Sequence, residues 1–250
     1  KMVEFALLNC MPEENFYMPT GYETAHNVGR WWEAILLLED RIGTVIPPRL
    51  EKGMQLNIRL MMGNSYGLLV NDAEVQGNGR LNWHNPREGL LALTALTEFR
   101  KSRWASQCAE RLLDTIDRRF FEHTLTDDDI CDTLGIPLND DPMLTRTVED
   151  PYPEEDYTGS TGRAIEGMLE FYRVTGNPRA LTLAEKAVAF HRVHSLREDG
   201  SAPEWLTDPA HVGHNHSYLG TLRGLLLYGI RFDDKALVDA VYNTFCNSLF

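Results

Sequence analysis

Cysteine is scarce and scattered in this 250-residue sequence, and long hydrophobic runs are missing. The four cysteines stand far apart and form no CxxC pair, which argues against a zinc knuckle and against a disulfide-dense scaffold. The longest apolar runs, such as 35–38 and 225–228, fall far short of the roughly 20 residues that a membrane-spanning helix needs. The sequence therefore predicts no transmembrane segment.

Positive charge is also in short supply. The 24 lysines and arginines are outnumbered by 37 acidic residues, the net charge is −13, and no basic run stands out. Binding to a phosphate backbone would be electrostatically unfavourable, so nucleic acid is not an expected partner. A Gly-rich phosphate loop, a nucleophile elbow and a dinucleotide fingerprint are absent as well. No cofactor is therefore predicted.

Both ends of the sequence resemble the interior of a longer one. It opens on Lys1-Met2 without the charged and apolar regions of a signal peptide, and it closes on Phe250 within an apolar, helix-like stretch. We expect a segment of a longer protein whose leader, if it had one, is already removed. The compartment stays open between periplasm and cytoplasm. Expected protein partners are further copies of the chain or the remainder of the same chain.

A polar loop rich in histidine and aromatic residues, followed by an apolar helix with a small residue, occurs four times. The copies begin at His26, His84, Thr158 and His214. The small residues follow one another at spacings of 55, 78 and 57 residues, and they are Ala34, Gly89, Gly167 and Gly224. A mid-helix glycine costs about 1 kcal/mol relative to alanine, so its recurrence at one register predicts close packing of these helices in an inner layer.

Second helices with their own apolar periodicity follow each copy, at roughly 55–69, 103–120, 180–194 and 235–250. Each unit is thus predicted to be a helical hairpin, and stacked hairpins curve into a solenoid or close into a toroid. We predict a single all-α domain over 1–250, an (α/α)n toroid with four hairpins that forms part of an (α/α)6 barrel. The third interval is longer by about 22 residues. Its excess, 121–157, carries three consecutive aspartates and four prolines and is predicted to be an acidic loop excursion or lid.

The loops that enter the four inner helices open at one end of the barrel if these helices run in the same direction. Aromatic rings stack on the apolar faces of sugars, imidazole and amide groups bond hydroxyls, and a pair of carboxyls cleaves glycosidic bonds. All of these groups occur in the loops, which therefore indicate a carbohydrate site. The residues are Tyr22, Glu23, His26, Trp83, His84, Asn85, Arg87, Glu154, Glu155, Asp156, Tyr157, Arg163, Glu204, Trp205, His211, His214, His216 and Tyr218.

The repeat, its length and the phrases HNVGRWW, HNPREGLLAL and GHNHSYLGTLRGLLLYG resemble the (α/α)6-toroid carbohydrate-active enzymes. The similarity is greatest to exo-acting glycoside hydrolases such as bacterial β-glucuronidases, and it extends less closely to β-L-arabinofuranosidases. The cysteine nucleophile and metal-binding residues of the arabinofuranosidase group have no counterpart here. The resemblance implies an (α/α)6 barrel and hydrolysis of a terminal sugar.

The leading prediction is a glycoside hydrolase that removes a terminal sugar, with a uronic acid favoured, by carboxylate acid and base chemistry. The predicted catalytic residues are Glu23, Glu88, Glu155 and His84. A guanidinium fork matches a carboxylate, so Arg87 and Arg163 are candidates for binding a uronate. The full predicted substrate-binding set is Tyr22, His26, Trp83, Arg87, Tyr157, Arg163, His214, His216 and Tyr218.

Structural roles compete with several of these assignments. Glu33, Glu88 and Glu166 occupy equivalent positions of the repeat, which favours bonds to neighbouring helices, with Glu88 the exception expected to reach the shared end of the loops. Asn85 precedes a first-turn proline, so capping alone accounts for it. His191 and His194, near a helix end, favour a charge interaction with the helix C-terminus.

No metal site is predicted. The pattern His211-x-x-His214-x-His216 resembles a metal cluster, since imidazoles are common ligands of divalent metals. A carboxylate or cysteine at a fixed spacing is missing, however. Hydrogen bonds to substrate, or contacts that hold the loop to the preceding hairpin, are the preferred interpretations.

Two other functions fit the same pattern. A polysaccharide lyase shares toroid architectures and abstracts a proton next to a uronate, with Tyr157, Tyr218, His84 and His214 as its catalytic set. A non-catalytic helical-repeat module would bind a protein or glycan on its concave side without turnover. Release of unsaturated products distinguishes the lyase, and binding without turnover distinguishes the module.

Overall fold

The computed structural model describes residues 24–70, 81–136, 157–208 and 214–248, with side chains from Gly29 onward. Throughout these ranges the regular secondary structure is helical and no strand occurs, so the predicted all-α class is confirmed. Backbone contacts divide the chain into two compact units, 1–139 and 140–250. None of the described helices is long and apolar enough to cross a membrane.

The described part of the first unit is built from helices α1 to α5. Their bounds are α1 Thr24–Ile42, α2 Pro48–Met62, α3 Asn85–Arg100, α4 Arg103–Ile116 and α5 Asp127–Leu134. Only Lys101 and Ser102 separate α3 from α4, and the Ser102 hydroxyl accepts the Ala105 N–H at 3.2 Å to cap α4. A π-helical turn at Asp117–Phe121 continues α4. The predicted hairpin of α3 and α4 is thus present.

Helices α1 and α3 pack closely at Gly29. A β-carbon on Gly29 would lie 2.4 Å from the Glu88 Cβ, so only glycine fits this contact. Ala34, the small residue predicted for this packing, is exposed, and that part of the repeat alignment is wrong. Trp32 and Leu36 are both fully buried, and each successive residue turns about 100° around the helix axis, which leaves Ala34 outside the core face.

Helix α2 begins and ends about seven residues earlier than the predicted span 55–69. The side chain of Asn64 explains its end. Its amide donates to the Met61 and Leu68 carbonyls at 3.1 and 2.8 Å, and its oxygen accepts the N–H groups of Tyr66 and Leu68 at 3.1 Å each. These four bonds stabilise a turn in place of a further helical turn.

The described part of the second unit is built from α6 to α10. Their bounds are α6 Arg163–Thr175, α7 Pro178–His194, α8 Glu204–Thr207, α9 Asn215–Arg231 and α10 Lys235–Ser248. A π-helical turn, Thr158–Gly162, leads directly into α6. Gly176 has a φ of +69° after α6, and the Asn177 side chain accepts the N–H groups of Arg179 and Ala180 to start α7. Helices α6 and α7 therefore form a hairpin.

Helix α9 packs on α6, on the π-turn and on α10. A β-carbon on Gly224 would lie 2.8 Å from the Ile165 Cβ, and one on Gly162 would lie 2.3 Å from the Thr221 Oγ1. Gly224 thus makes the close helix contact that the repeat predicts, and Gly167 is buried as well. Closure of the hairpins into a toroid stays a prediction.

The predicted excursion 121–157 is described at its two ends. The first part contains α5, whose capping box joins Thr126 and Asp129. The Tyr66 hydroxyl lies 3.0 Å from the Thr133 Oγ1 and thereby attaches α5 to the first unit. Residues 137–156 lie outside the described ranges.

Candidate functional site

The start of α3 carries the densest group of predicted site residues. The Asn82 side chain accepts the His84 N–H at 2.8 Å, and the backbone of Asn82 accepts the Asn85 N–H at 3.1 Å. Helix α3 begins at Asn85, so the helix cap is His84 and the predicted capping role of Asn85 is wrong. The buried Asn85 amide instead donates to the Leu69 carbonyl at 3.2 Å. These bonds fix the turn on which Trp83 and His84 lie.

Glu88 is fully buried, and its carboxylate forms ion pairs with two arginines. The Arg87 Nη1 lies 2.9 Å and the Arg30 Nε 3.3 Å from the same Glu88 oxygen, Oε1. The side chain of Arg87 is 16% exposed and that of Arg30 is 39% exposed, whereas the Glu88 side chain is fully buried. The sequence pattern did not indicate Arg30, because only the packing of α1 on α3 brings it to Glu88.

Trp83 is half-buried and held from several sides. Its indole Nε1 donates to Asp127 Oδ1 at 3.1 Å, and its ring stands edge-on to Phe120 with centroids 4.7 Å apart. Arg119 holds the same aspartate with two contacts, Nε to Oδ1 at 2.6 Å and Nη2 to Oδ2 at 3.3 Å. The contact between Trp83 and Asp127 spans 44 residues of sequence, which no local pattern reveals.

In the second unit, the ring of Tyr157 stacks against a row of rings carried by α7. It stacks on Phe190 with centroids 4.7 Å apart, and Phe190 stacks on His194 at 4.3 Å. His194 is exposed, whereas His191 is fully buried. Tyr157 therefore packs against α7 and stays half-buried.

His191 lies inside a buried polar cluster. Its Nε2 shares a hydrogen bond with the Thr161 hydroxyl at 3.2 Å, and its Nδ1 shares one with the Ser195 hydroxyl at 2.8 Å. Burial, together with the charge of His194, lowers the pKa of His191 to about 3, although a bond to the Tyr157 backbone acts in the opposite direction. The predicted charge interaction of His191 with the helix C-terminus is wrong, since an imidazole without access to water is uncharged at neutral pH.

Tyr218 and Arg163 are buried in the core of the second unit. The Tyr218 hydroxyl donates to the Ser195 carbonyl at 2.9 Å, its ring meets Trp205 edge-on at 5.6 Å, and burial raises its pKa. Arg163 is 1% exposed, and its side chain lies beside Gly220. Such placements suit packing better than contact with a substrate.

Glu166 forms an ion pair with an arginine of α9. Its Oε1 lies 2.7 Å from the Arg223 Nη2, and the carboxylate is 3% exposed while the arginine is 62% exposed. Glu88 and Glu166 are thus buried carboxylates at equivalent repeat positions, each paired with arginine. Two arginines contact Glu88, at the turn that also carries Trp83 and His84.

His214 and His216 are exposed at the start of α9. His214 caps this helix, since its Nδ1 accepts the Ser217 N–H at 3.1 Å. The two rings are 5.9 Å apart. Within the described ranges no group of three histidine, cysteine or acidic side chains is arranged to hold a metal ion.

The remaining candidates fall outside the described residues. They are Tyr22, Glu23, Glu154, Glu155, Asp156, His211 and the side chain of His26. In the first unit the structure therefore places four predicted site residues at one turn: Trp83, His84, Arg87 and Glu88. Two further residues, Arg30 and Asp127, contact this group. In comparisons with known proteins, no family model matches this chain and no curated protein matches its sequence.

Proposed function

We propose that this chain is part of a glycoside hydrolase that releases a terminal uronic acid from an oligosaccharide or polysaccharide. The observation that carries the proposal is the convergence of Arg30 and Arg87 on the buried Glu88, next to Trp83 and His84. An aromatic ring, an imidazole and two guanidinium groups thus lie at one turn of the first unit. These groups are the ones that bind a charged sugar.

The positively charged side chains at this turn suit an anionic ligand. Two guanidinium groups meet at the Glu88 carboxylate, in a chain whose net charge is −13. The N-terminus of α3 adds the partial positive charge of the helix dipole. A uronate carboxylate complements this environment, whereas a neutral hexose does not use it.

The geometry also suggests how the roles divide. Glycosidic cleavage needs one carboxylic acid to protonate the leaving oxygen and one carboxylate to act as nucleophile or base. Because both arginines contact the same oxygen of the buried Glu88, we assign this carboxylate to holding the guanidinium groups toward the substrate. Glu23, which the sequence predicts as catalytic, is then the proposed acid or base of the first unit, and it lies outside the described residues.

The test compares hydrolysis of 4-nitrophenyl β-D-glucuronide and of uronate-containing oligosaccharides by the wild type and by Glu88→Gln. We expect the variant to raise KM for the uronide about tenfold with little change in kcat, because the arginines lose the anion that positions them. Glu166→Gln is the matched control, since it removes the other buried carboxylate of the repeat. It is expected to keep the wild-type KM and kcat.

Reducing sugar and the absorbance of unsaturated products are read in parallel. A fall of about 100-fold in kcat for Glu88→Gln would return Glu88 to the acid or base role. An absorbance rise without hydrolysis would show a lyase, and silence of the wild type in both assays would overturn the proposal.

A further inference from the structure

Trp83 differs from the other tryptophans that the structure describes. Trp32 and Trp205 are buried, and within the described ranges their indole N–H groups have no hydrogen-bond partner. Trp104 is covered by the guanidinium group of Arg59, 4.5 Å from its ring centroid. Within the described ranges only Trp83 has its indole N–H bonded to a carboxylate, and this residue stays partly exposed.

Asp127 is the centre of the contacts that orient this ring. Its Oδ1 accepts from the Trp83 Nε1 at 3.1 Å and from the Arg119 Nε at 2.6 Å, and its Oδ2 accepts from the Arg119 Nη2 at 3.3 Å. The guanidinium carbon of Arg119 lies 5.2 Å from the centroid of Phe120, whose ring meets Trp83 edge-on. Asp127, Arg119 and Phe120 together thus restrict the orientation of the Trp83 indole.

The helix that carries Asp127 is itself anchored. Asp127 is the first residue of α5, and the capping box of Thr126 and Asp129 closes the turn in front of it. Tyr66 also holds α5, through the hydroxyl of Thr133. The carboxylate of Asp127 is therefore placed by the fold and does not depend on Trp83 for its position.

We propose that Asp127 is a positioning residue that holds the Trp83 indole ready to stack on the sugar ring of the substrate. The proposal rests on the proposed function, because it assigns Trp83 to the uronide site next to Arg87. A ring that is already fixed loses little conformational entropy on binding, which is how preorganisation raises affinity. Asp127 therefore contributes to KM through Trp83 and takes no part in the bond-breaking step.

The experiment compares Asp127→Ala, Asp127→Asn and the control Asp128→Ala, with 4-nitrophenyl β-D-glucuronide as substrate. Asp128 is the exposed neighbour in the first turn of α5, so its removal deletes the same charge without the contact to Trp83. We expect Asp127→Ala to raise KM about tenfold while kcat changes less than about twofold. Asp127→Asn keeps an oxygen acceptor for the indole and restores KM to within about threefold of the wild type. Asp128→Ala leaves both constants unchanged.

A second readout follows the indole itself. In a nitrogen-15 NMR spectrum, the Trp83 indole N–H signal is identified by its absence in Trp83→Phe. It is expected to shift when the uronide is added, and to move and exchange faster with water in Asp127→Ala. The double variant Trp83→Phe/Asp127→Ala is expected to show the KM of Trp83→Phe, since Asp127 acts through Trp83.

The outcomes separate this inference from the proposed function. Hydrolysis by a protein whose Trp83 signal ignores the uronide, or an unchanged KM in Asp127→Ala, overturns the positioning role and leaves the hydrolase standing. A signal that responds to the uronide without any hydrolysis supports the positioning role and removes the hydrolase. If Asp127→Ala does not fold, Asp127→Asn and Trp83→Phe test the positioning role instead. The role is overturned if Asp127→Asn shifts the Trp83 signal no more than Asp128→Ala does and Trp83→Phe keeps the wild-type KM.

Discussion

At the scale of single residues, the strongest electrostatic feature of the second unit is a histidine that the fold keeps away from water. His191 is flanked by the hydroxyls of Thr161 and Ser195, which provide hydrogen bonds but no negative charge. The neighbouring imidazole, His194, also acts to lower the pKa of His191. A protonated His191 would therefore be buried without a counter-ion, which is costly.

This environment predicts a pH-dependent stability. Because the pKa of His191 is lowered to about 3 in the folded chain, only the unfolded chain takes up the proton as the pH falls below about 6.5. The free energy of unfolding should then fall by about 1 kcal/mol per pH unit between pH 6 and pH 5, and this contribution should be absent above pH 7. Urea unfolding of the wild type and of His191→Gln measures the difference. His194→Gln serves as control and retains most of the slope, whereas equal slopes in the wild type and His191→Gln would contradict the prediction.

At the scale of helices, two glycines at equivalent positions of the repeat face different neighbours. A β-carbon on Gly89 would lie 2.8 Å from the Cε of Met62, the far end of a flexible side chain. One on Gly224 would lie equally far from the Cβ of Ile165, a branched carbon fixed to the α6 backbone. The Met62 side chain can move aside, whereas the Ile165 Cβ cannot. The contact between α9 and α6 therefore depends on Gly224 more than the contact between α3 and α2 depends on Gly89.

Alanine substitutions should therefore have opposite outcomes. Gly89→Ala gains about 1 kcal/mol of helix propensity against a small repacking of Met62, and its stability should equal or exceed that of the wild type. Gly224→Ala meets overpacking of about 1–3 kcal/mol and should be less stable despite the same gain. Thermal unfolding followed by circular dichroism compares the two. A larger loss in Gly89→Ala would show that the side-chain neighbours do not decide the cost.

At the scale of the whole chain, the features that sequence periodicity predicts are those with local causes. Helices α3, α4, α7 and α10 begin close to the predicted positions, and proline or a capping side chain precedes or opens the first three. The end of α2 depends on one asparagine that bonds four backbone groups, which periodicity does not register.

The candidate site shows the same division. Trp83, His84, Arg87 and Glu88 are close in sequence and can be selected as a group from their chemistry. Arg30 reaches Glu88 across 58 residues and Asp127 reaches Trp83 across 44, so both required the packed structure. Long-range contacts of polar side chains leave no periodic pattern in a sequence.

Each compact unit has its own apolar core, and this arrangement predicts separate folding. In the second unit Phe171, Leu183, Tyr218 and Leu225 are fully buried at the contacts of α6, α7 and α9. We expect a fragment of residues 140–250 to be helical by circular dichroism and to unfold cooperatively in urea, since its described hydrogen bonds and ion pairs stay within it. The acid-sensitive step due to His191 should appear in this fragment and be abolished by His191→Gln, as in the full chain. A fragment that is unfolded at neutral pH would show that the second unit depends on residues 1–139 for its stability.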